Sequence, residues 1–280
     1  MPNLRCPPQR ITQLALRARL AMQASSPVRR LVDFIVASIL FALPITLRKQ
    51  LFAGKHAFCP LCHSHLSGFL TLNRPYHRWC PVCRSLQRHR LIWLFLERFH
   101  LITPEQPQTM LHFAPEPGLV RRFAQMPHLR YVTADLFNPS VIMRFDITTI
   151  PFDDHAFDLI LCSHVLEHIP NDRQAMRELY RVLKPGGIAL ILVPIKGERT
   201  FEDATITDPL LRERYFGQFD HVRMYGTDIT QRLQQAGFYV QEIGVRDIIT
   251  TQDEIERMGL PVNETIFVCR KEEREVRLAS

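Results

Sequence analysis

The sequence predicts an α/β fold that is built on a mostly parallel sheet. From Met110 onward, short apolar runs alternate with segments of helical periodicity. This alternation favours parallel strands that are covered by helices on both faces. At 280 residues and 46% hydrophobic content, the chain is also long enough for one large domain and a small attachment.

The alternating region contains six strand candidates and three helix candidates. In the turn LKPGG, Pro185 ends a helix and two glycines turn the chain back into a strand. Residues 196–226 form an insertion far longer than the usual ~4–6 residues, which predicts a lid or binding loop. The strand candidates are TMLHFA, RYVTADL, VIMRFDI, FDLILCS, GIALILVPI and ETIFVCR, and the helix candidates are RSLQRHRLIWLFLERFH, DRQAMRELYRVL and TDITQRLQQAGF.

Charge is distributed unevenly along the chain. Residues 1–100 hold 15 Lys/Arg and two acidic residues, whereas residues 101–280 hold 20 Lys/Arg and 26 acidic residues. A basic front end suits phosphate on RNA, on an anionic membrane or on a phosphorylated carrier, although scattered surface charge fits equally well. We expect a basic and apolar helical extension, a cysteine module, a main domain and a loose tail, over 1–54, 55–90, 91–270 and 271–280.

An apolar run lies between residues 31 and 47, interrupted by Asp33 and Pro44. Its uninterrupted part, 34–43, is about half of the ~20 residues that a membrane span needs. The run therefore packs on the body of the protein or lies in the plane of an anionic membrane, and a true span is disfavoured. Because the N-terminus lacks a secretory signal pattern, we expect a cytoplasmic protein, with peripheral membrane attachment through 1–54 as the alternative.

Two cysteine pairs, CPLC and CPVC, predict a metal site. Cys59, Cys62, Cys80 and Cys83 follow a C-x2-C-x17-C-x2-C pattern, in which two tight turns aim four thiolates at one ion. In a reducing compartment such pairs hold metal more often than disulfides. We expect a closed, structural Zn²⁺ site in a ribbon-like module.

Residues 145–195, with FDLILCSHVLEHI, QAMRELYRVL, LKPGG and IALILVP, resemble class I S-adenosylmethionine-dependent methyltransferases. The resemblance covers roughly Thr109 to Arg270. It implies a Rossmann-like sheet whose last strand is antiparallel, and S-adenosylmethionine as the cofactor. A ligand in such a sheet lies beyond the carboxyl ends of the strands.

The resemblance also implies the cofactor residues. Asp135, at the end of YVTADL, would accept the ribose hydroxyls, and its alternative role is a helix N-cap. Asp146 would read the adenine amino group with Ile147 beside the ring, or it is an ordinary loop aspartate. The full implied set is Ala114, Pro115, Glu116, Gly118, Asp135, Leu136, Asp146, Ile147, Ser163 and His164.

The loop after the first strand departs from the family pattern of an acidic residue followed by G-x-G-x-G. In LHFAPEPG, His112 stands at the acidic position, Ala114 and Glu116 replace two glycines, and Gly118 keeps the third. The cofactor has no pyrophosphate, so close backbone approach is less critical than for a dinucleotide. We expect a substituted but working loop, with Glu116 taking over the contact to the cofactor amino group.

Four polar residues are candidates for the acceptor side of the reaction. His164 and His221 are candidate general bases, and a structural hydrogen bond is the alternative role for each. Asp220 is placed to orient His221. Arg223 would hold an anionic acceptor or pair with an acid on the insertion.

The sequence thus favours a methyltransferase that acts on a small or carrier-linked acceptor, such as a sugar or a lipid-linked glycan. An RNA methyltransferase that binds RNA through the cysteine module and the basic N-terminus is the first alternative. A non-catalytic scaffold with the same fold is the second.

Overall fold

The computed structural model describes residues 27–71 and 78–272, so the predicted N-terminal extension up to residue 26 and the tail from residue 273 lie outside it. Helix α1 (Pro27–Ala42) ends just before Pro44, which precedes α2 (Ile45–Leu51). This break matches the predicted interruption, because proline lacks the amide hydrogen that would continue the helix. No helix within the described residues is both long and apolar enough to cross a bilayer.

The cysteine module is a short hairpin that leads into a helix. Strands β1 (Ala53–Cys59) and β2 (Ser64–Leu66) pair antiparallel, and the second cysteine pair follows on an irregular segment. Helix α3 (Gln87–Arg98) then carries the chain to the main sheet.

The main sheet has six strands, and the prediction of a mostly parallel sheet is confirmed. Their order is β4-β3-β5-β6-β10-β9, and β10 runs antiparallel to both of its neighbours. The antiparallel last strand is therefore confirmed as well. The strands are β3 (Gln108–Phe113), β4 (Leu129–Ala134), β5 (Phe157–Ser163), β6 (Leu183–Leu192), β9 (Tyr239–Gly244) and β10 (Thr265–Arg270).

Helices cover both faces of the sheet. The cysteine module, α3, α4 (Pro117–Phe123), α8 (Val245–Ile248) and α9 (Gln252–Arg257) pack on one face, whereas α5 (Asp172–Val182) and α7 (Ile229–Gln235) pack on the other. Successive strand residues such as Met110 and Leu111 belong to opposite cores, as the two-residue period of a strand requires. The cysteine module thus shares one hydrophobic core with the sheet.

The insertion at 196–226 is an ordered segment with its own elements. Strands β7 (Phe201–Glu202) and β8 (Arg223–Met224) pair antiparallel around α6 (Pro209–Phe216). Helix α6 ends at Gly217, whose φ of +84° is the left-handed conformation that glycine adopts most readily. The segment lies over the turn that follows β5, where the Val222 amide donates to the Glu167 carbonyl.

Two expectations need correction. The candidate strand VIMRFDI forms only one isolated bridge, between Met143 and Ala134, because the chain turns immediately after it. Lys271, placed in the loose tail, is buried and donates to the carbonyls of Tyr180, Arg181 and Leu183. The ordered domain therefore extends past residue 270.

Candidate active site at the carboxyl edge of the sheet

Strand register brings three predicted cofactor residues side by side. Phe113, the last residue of β3, pairs with Ala134 of β4 and with Cys162 of β5. The residues that follow, Ala114, Asp135 and Ser163, therefore meet at the carboxyl edge of neighbouring parallel strands. This edge is where open α/β sheets bind ligands.

Ala114 shows why the family pattern has a glycine at this position. Its φ is +46°, in the left-handed region that costs a non-glycine residue about 1–2 kcal/mol. The residue is exposed at the strand end, and Pro115 beside it is half-buried. The loop therefore keeps the backbone shape of the glycine-rich turn although the glycine itself is gone.

Gly118 is retained for a different reason from the one the resemblance implies. It lies in the first turn of α4, buried against the cysteine module. A Cβ atom there would come within 2.9 Å of Leu61 Cδ2 and 3.3 Å of the Cys83 carbonyl oxygen. The missing side chain makes room for the module, so the cofactor role predicted for Gly118 is not supported.

Glu116 is buried between two imidazoles. His112 Nε2 lies 2.8 Å from Glu116 Oε2, and His89 Nε2 lies 3.2 Å from Oε1. His112 Nδ1 is 2.7 Å from the Tyr131 hydroxyl, and His89 Nδ1 accepts from the Leu86 amide. Both carboxylate oxygens are thus engaged inside the protein, which does not support the predicted contact from Glu116 to the cofactor amino group.

The charges in this cluster follow from burial and pairing. Burial lowers the pKa of His89 to about 3, so this imidazole is neutral at neutral pH. Because its Nδ1 accepts from Leu86, its hydrogen is on Nε2, which lies near Glu116 Oε1 without forming a hydrogen bond. Burial alone would raise the pKa of Glu116, but the two imidazoles outweigh it and hold the pKa at about 2. A charged carboxylate therefore links α3 to the loop after β3.

Asp135 caps a turn and not a helix, and its predicted contact with the ribose stays a prediction. Its Oδ1 accepts from the amides of Phe137 and Asn138, at 2.6 and 2.7 Å, which caps the turn after β4. Within the described residues, Oδ2 accepts no hydrogen bond and remains for a ligand. Leu136 follows with 46% of its surface exposed, an apolar patch next to the carboxylate.

Asp146 and Ile147 occupy different environments. Asp146 is exposed, and its Oδ1 accepts from the amide and the hydroxyl of Thr148. Ile147 is buried in the core on the α5 face, so its side chain packs inside the protein. The predicted place of Ile147 beside an adenine ring is not supported.

His164 begins the polar turn after β5 and is held by two carboxylates. Its Nδ1 lies 3.2 Å from Glu167 Oε1, and its Nε2 lies 3.0 Å from Glu264 Oε1. Burial lowers its pKa, but these two partners outweigh that effect and raise it to about 9. A protonated ring cannot accept a proton, so this pairing does not support the general-base role predicted for His164. Next to it, the Ser163 hydroxyl is buried with no hydrogen-bond partner among the described residues.

His221 lies on the insertion and faces this turn. Its Nδ1 is 2.9 Å from the Phe216 carbonyl, so Nδ1 carries the hydrogen and Nε2 keeps its lone pair. Burial lowers the pKa of His221, which keeps the ring neutral at neutral pH. The backbone thus orients His221, a task that the sequence assigned to Asp220. Asp220 instead accepts from Gln218 and lies 3.7 Å from His168 Nδ1.

Arg223 is buried and fastens the insertion to the turn after β5. Its Nε donates to Glu202 on the insertion at 2.9 Å. Its terminal nitrogens donate to the carbonyls of Leu166, Ile169 and Pro170. Of the two roles predicted for Arg223, the pairing with an acid on the insertion is the one present. These contacts use four of the five N–H donors of the buried guanidinium.

The four thiols of the cysteine module lie together, and all of their sulfur atoms are within 4.8 Å of one another. The Sγ atoms of Cys59 and Cys83, and likewise those of Cys62 and Cys80, are 3.7 Å apart. Sulfurs bound tetrahedrally to Zn²⁺ at ~2.3 Å are ~3.8 Å apart. The cluster therefore has the dimensions of a zinc site.

Two buried arginines flank the thiols. Arg90 donates to the carbonyls of Met258, Gly259, Ser85 and Arg78, and Arg48 donates to those of Leu43 and Pro81. Neither forms an ion pair with a carboxylate within the described residues. Their positive charges suit four thiolates around Zn²⁺, whose net charge is negative.

Several residues of this edge were missed by the sequence reasoning. Glu264 sits in the loop before the last strand, with no pattern around it. His89 lies in an apolar helix, where the spacing predicts only packing.

Two open hollows lie at the opposite edge of the sheet, and neither contains a predicted site residue. The first is lined by Gly186, Tyr239, Arg270, Lys271 and Glu272, and the second by Leu101, Gln108, Asp158, Leu159, Pro185, Gly186, Gly187 and Ile188.

Known proteins are similar to part of this chain. The profile of a methyltransferase domain family matches residues 119–191, a range that begins just after the substituted loop. A demethylmenaquinone methyltransferase of Staphylococcus epidermidis is 33% identical over 90 residues, which are 32% of this chain and 33% of that protein. A ubiquinone/menaquinone biosynthesis C-methyltransferase of Hydrogenovibrio crunogenus is 34% identical over 29% of this chain and 30% of its own length. The chain thus spans about a third of the length of these curated relatives.

A solved structure with a similar fold is that of a Haemonchus contortus phosphoethanolamine N-methyltransferase in complex with phosphomonomethylethanolamine and S-adenosylhomocysteine. It is 17% identical, covers 66% of this chain and 53% of its own, and has a TM-score of 0.46. The fold assignment depends on the strand order and on the matched segment. By these two criteria, the chain carries the fold of the class I S-adenosylmethionine-dependent methyltransferases.

Proposed function

We propose that the protein is a methyltransferase that binds S-adenosylmethionine at the carboxyl ends of β3, β4 and β5. The observation that supports this most is the meeting of Ala114, Asp135 and Ser163 at one edge, which the strand register enforces. Each lies at the end of a different strand, and the fold alone brings them together.

We assign the cofactor contacts from the atoms and surfaces that these residues do not use within the protein. Asp135 Oδ2 is an acceptor for the ribose hydroxyls, while Oδ1 holds the carboxylate in place through the turn. The exposed Leu136 offers an apolar surface for the adenine ring. The left-handed backbone at Ala114 keeps the strand end clear for the amino acid part of the cofactor.

In methyl transfer the protein mainly aligns the reactants, because the leaving group needs no activation. When bound, S-adenosylmethionine supplies a methyl group on a sulfonium, which is already an activated leaving group. The protein aligns the acceptor with that methyl group and excludes water, the task that we assign to the insertion at 196–226. His221, neutral and oriented by Phe216, offers a ring-nitrogen lone pair on the insertion.

A small or carrier-linked acceptor suits the surface better than RNA does. Arg48 and Arg90, two of the front-end arginines, are buried beside the thiols and are not available to phosphate. The insertion exposes Phe201, Leu210 and Tyr215, an apolar surface near the site that fits an acceptor with an apolar part. The quinone-directed names of the curated relatives are compatible with such an acceptor.

The proposal is tested by S-adenosylmethionine binding to Asp135 variants, measured by calorimetry. Asp135→Asn keeps an oxygen for the turn but presents an amide group, which cannot accept, to the ribose. We expect it to weaken binding by ~10–100-fold, the value of one or two hydrogen bonds to a charged group, with little loss of stability. Asp135→Ala should lose both binding and some stability.

Asp253→Ala, on the exposed surface of α9, is the matched control and should bind as the wild type does. Failure of the wild-type protein to bind S-adenosylmethionine at millimolar concentration contradicts the proposal. Equal affinity of the wild type and Asp135→Asn contradicts the binding mode.

We further propose that the four cysteines bind one structural Zn²⁺. The proposal is supported by the 3.7 Å sulfur separations and by the two buried arginines beside them. Four thiolates leave no open coordination position, so this ion has no catalytic role.

A further inference from the structure

We propose a second metal site, formed by Glu167, His168 and His221, that binds a divalent first-row transition metal ion. Glu167 and His168 lie on the turn after β5, and His221 lies on the insertion above it. One ligand atom from each lies within 4.8 Å of the other two. The proposed metal site therefore lies between the turn after β5 and the insertion, beside the proposed cofactor site.

Glu167 is the observation that points most directly to a ligand. Its side chain is fully buried, yet neither carboxylate oxygen accepts a hydrogen bond from the described residues. His164 Nδ1, at 3.2 Å, offsets part of the charge on Oε1, and Oε2 is left without any partner. A buried carboxylate that accepts no hydrogen bond is destabilising, and His164 lies beside Oε1 only, so a cation is expected beside Oε2.

His221 is prepared as a ligand. Because its Nδ1 donates to the Phe216 carbonyl, its lone pair is on Nε2. Metal-bound histidines usually donate their other ring nitrogen to a carbonyl or a carboxylate in this way. The His168 and His221 rings are 4.6 Å apart and nearly perpendicular, so both are positioned around the same point.

The neighbouring groups form the outer layer that such a site requires. His164, itself held by Glu264, lies 3.2 Å from Glu167 Oε1, and Asp220 Oδ2 lies 3.7 Å from His168 Nδ1. Two imidazoles and one carboxylate suit Mn²⁺, Fe²⁺, Co²⁺ or Zn²⁺, and they leave coordination positions open. The ligand type distinguishes this site from the four-thiol cluster.

The role of the ion depends on the proposed function, whereas its binding does not. An ion here would bind a hydroxyl oxygen of the acceptor and make its proton easier to lose. Because the ion takes the lone pair of His221, the hydroxyl proton passes to solvent water, and the oxygen lone pair forms the new bond to the methyl carbon. The bond from that carbon to sulfur breaks, and its electron pair stays on sulfur, giving S-adenosylhomocysteine. The acceptor class is therefore an oxygen nucleophile.

Mn²⁺ tests the site, because it avoids thiolates and binds carboxylate and imidazole ligands. The full chain, with zinc already in the cysteine module, is titrated with Mn²⁺ while the free ion is followed by electron paramagnetic resonance. We expect one saturable site per chain. His221→Ala and His168→Ala should weaken it by more than ~10-fold, because each removes one of three ligands.

Two further variants complete the test. Glu167→Gln should also lose Mn²⁺, but its burial makes misfolding a risk, and His168→Ala, whose side chain is 29% exposed, provides the same test without that risk. His100→Asn, at an exposed turn, is the matched control and should bind Mn²⁺ as the wild type does. No saturable Mn²⁺ binding, or binding that survives both histidine substitutions, overturns the site.

S-adenosylmethionine affinity, measured on the same samples, separates the two proposals. His168→Ala should keep wild-type affinity for the cofactor while losing Mn²⁺. Mn²⁺ binding without cofactor binding leaves the metal site in place and overturns the methyltransferase proposal. Cofactor binding without Mn²⁺ binding does the reverse.

Discussion

At the scale of single residues, the loop after β3 has a buried polar network of His89, His112 and Glu116 where the family pattern has glycines and an acidic residue. His112 stands where the family has an acidic residue, and Glu116 replaces a glycine, yet the two bind each other at 2.8 Å. The acidic side chain therefore stands at position 116, four residues after the family position, and it is buried beside His112 and His89. Ala114 keeps the left-handed backbone at the strand end.

The pH dependence of stability tests this network. The pKa of His89 is about 3 in the folded protein and ~6.5 in the unfolded chain, because burial disfavours its charged form. A depressed pKa contributes stability that is present above pH ~6.5 and is lost as the pH falls toward 3. For one such group the loss from pH 6.0 to 5.0 is about 1 kcal/mol.

His89→Gln can still donate to Glu116 but does not titrate. In urea unfolding with excess zinc, we expect its free energy of unfolding to fall by about 1 kcal/mol less than that of the wild type between pH 6.0 and 5.0. His100→Asn should retain the wild-type slope. An unchanged slope in His89→Gln would show that His89 is not buried as a neutral group.

At the scale of elements, the cysteine module is part of the domain core. Its Leu61 and Cys83 pack on Gly118 of the loop helix α4. Arg90 of α3 joins the module to the loop after α9 through Met258 and Gly259. The sequence predicted two modules, but the contacts make the four-thiol cluster a support for α4, the helix that follows the loop after β3.

Zinc removal should therefore affect the whole domain. Chelation is expected to release one zinc per chain from the cysteine module and to lower the melting temperature of a single calorimetric transition, because the module and the sheet share a core. Cys80→Ser should behave like the chelated protein. Separate transitions, or a metal-free protein with the wild-type melting temperature, would contradict this coupling.

At the scale of the whole molecule, the sequence predicts features that depend on short local patterns, and it misses contacts between residues that are far apart in the chain. The strand alternation, the thiol cluster and the place of Asp135 are local patterns, and the structure has them. The partners of Arg223 and His164 are separated from them by up to 100 residues, so no spacing reveals them. The contact of Gly118 with Leu61 and Cys83 is distant in sequence as well, so the spacing did not reveal it.

The arrangement of layers also explains which edge is functional. The cysteine module and α4 lie behind the end of β3, and the insertion closes over the end of β5. Between them lies the edge that carries Ala114, Asp135 and Ser163.

The most direct measurement is a crystal structure of the zinc-loaded protein with S-adenosylhomocysteine. We predict one molecule at the carboxyl ends of β3, β4 and β5, with its ribose hydroxyls on Asp135 Oδ2 and its sulfur facing Ser163 and the insertion. A ligand at any other edge, or a ribose that makes no contact with Asp135, would contradict the account.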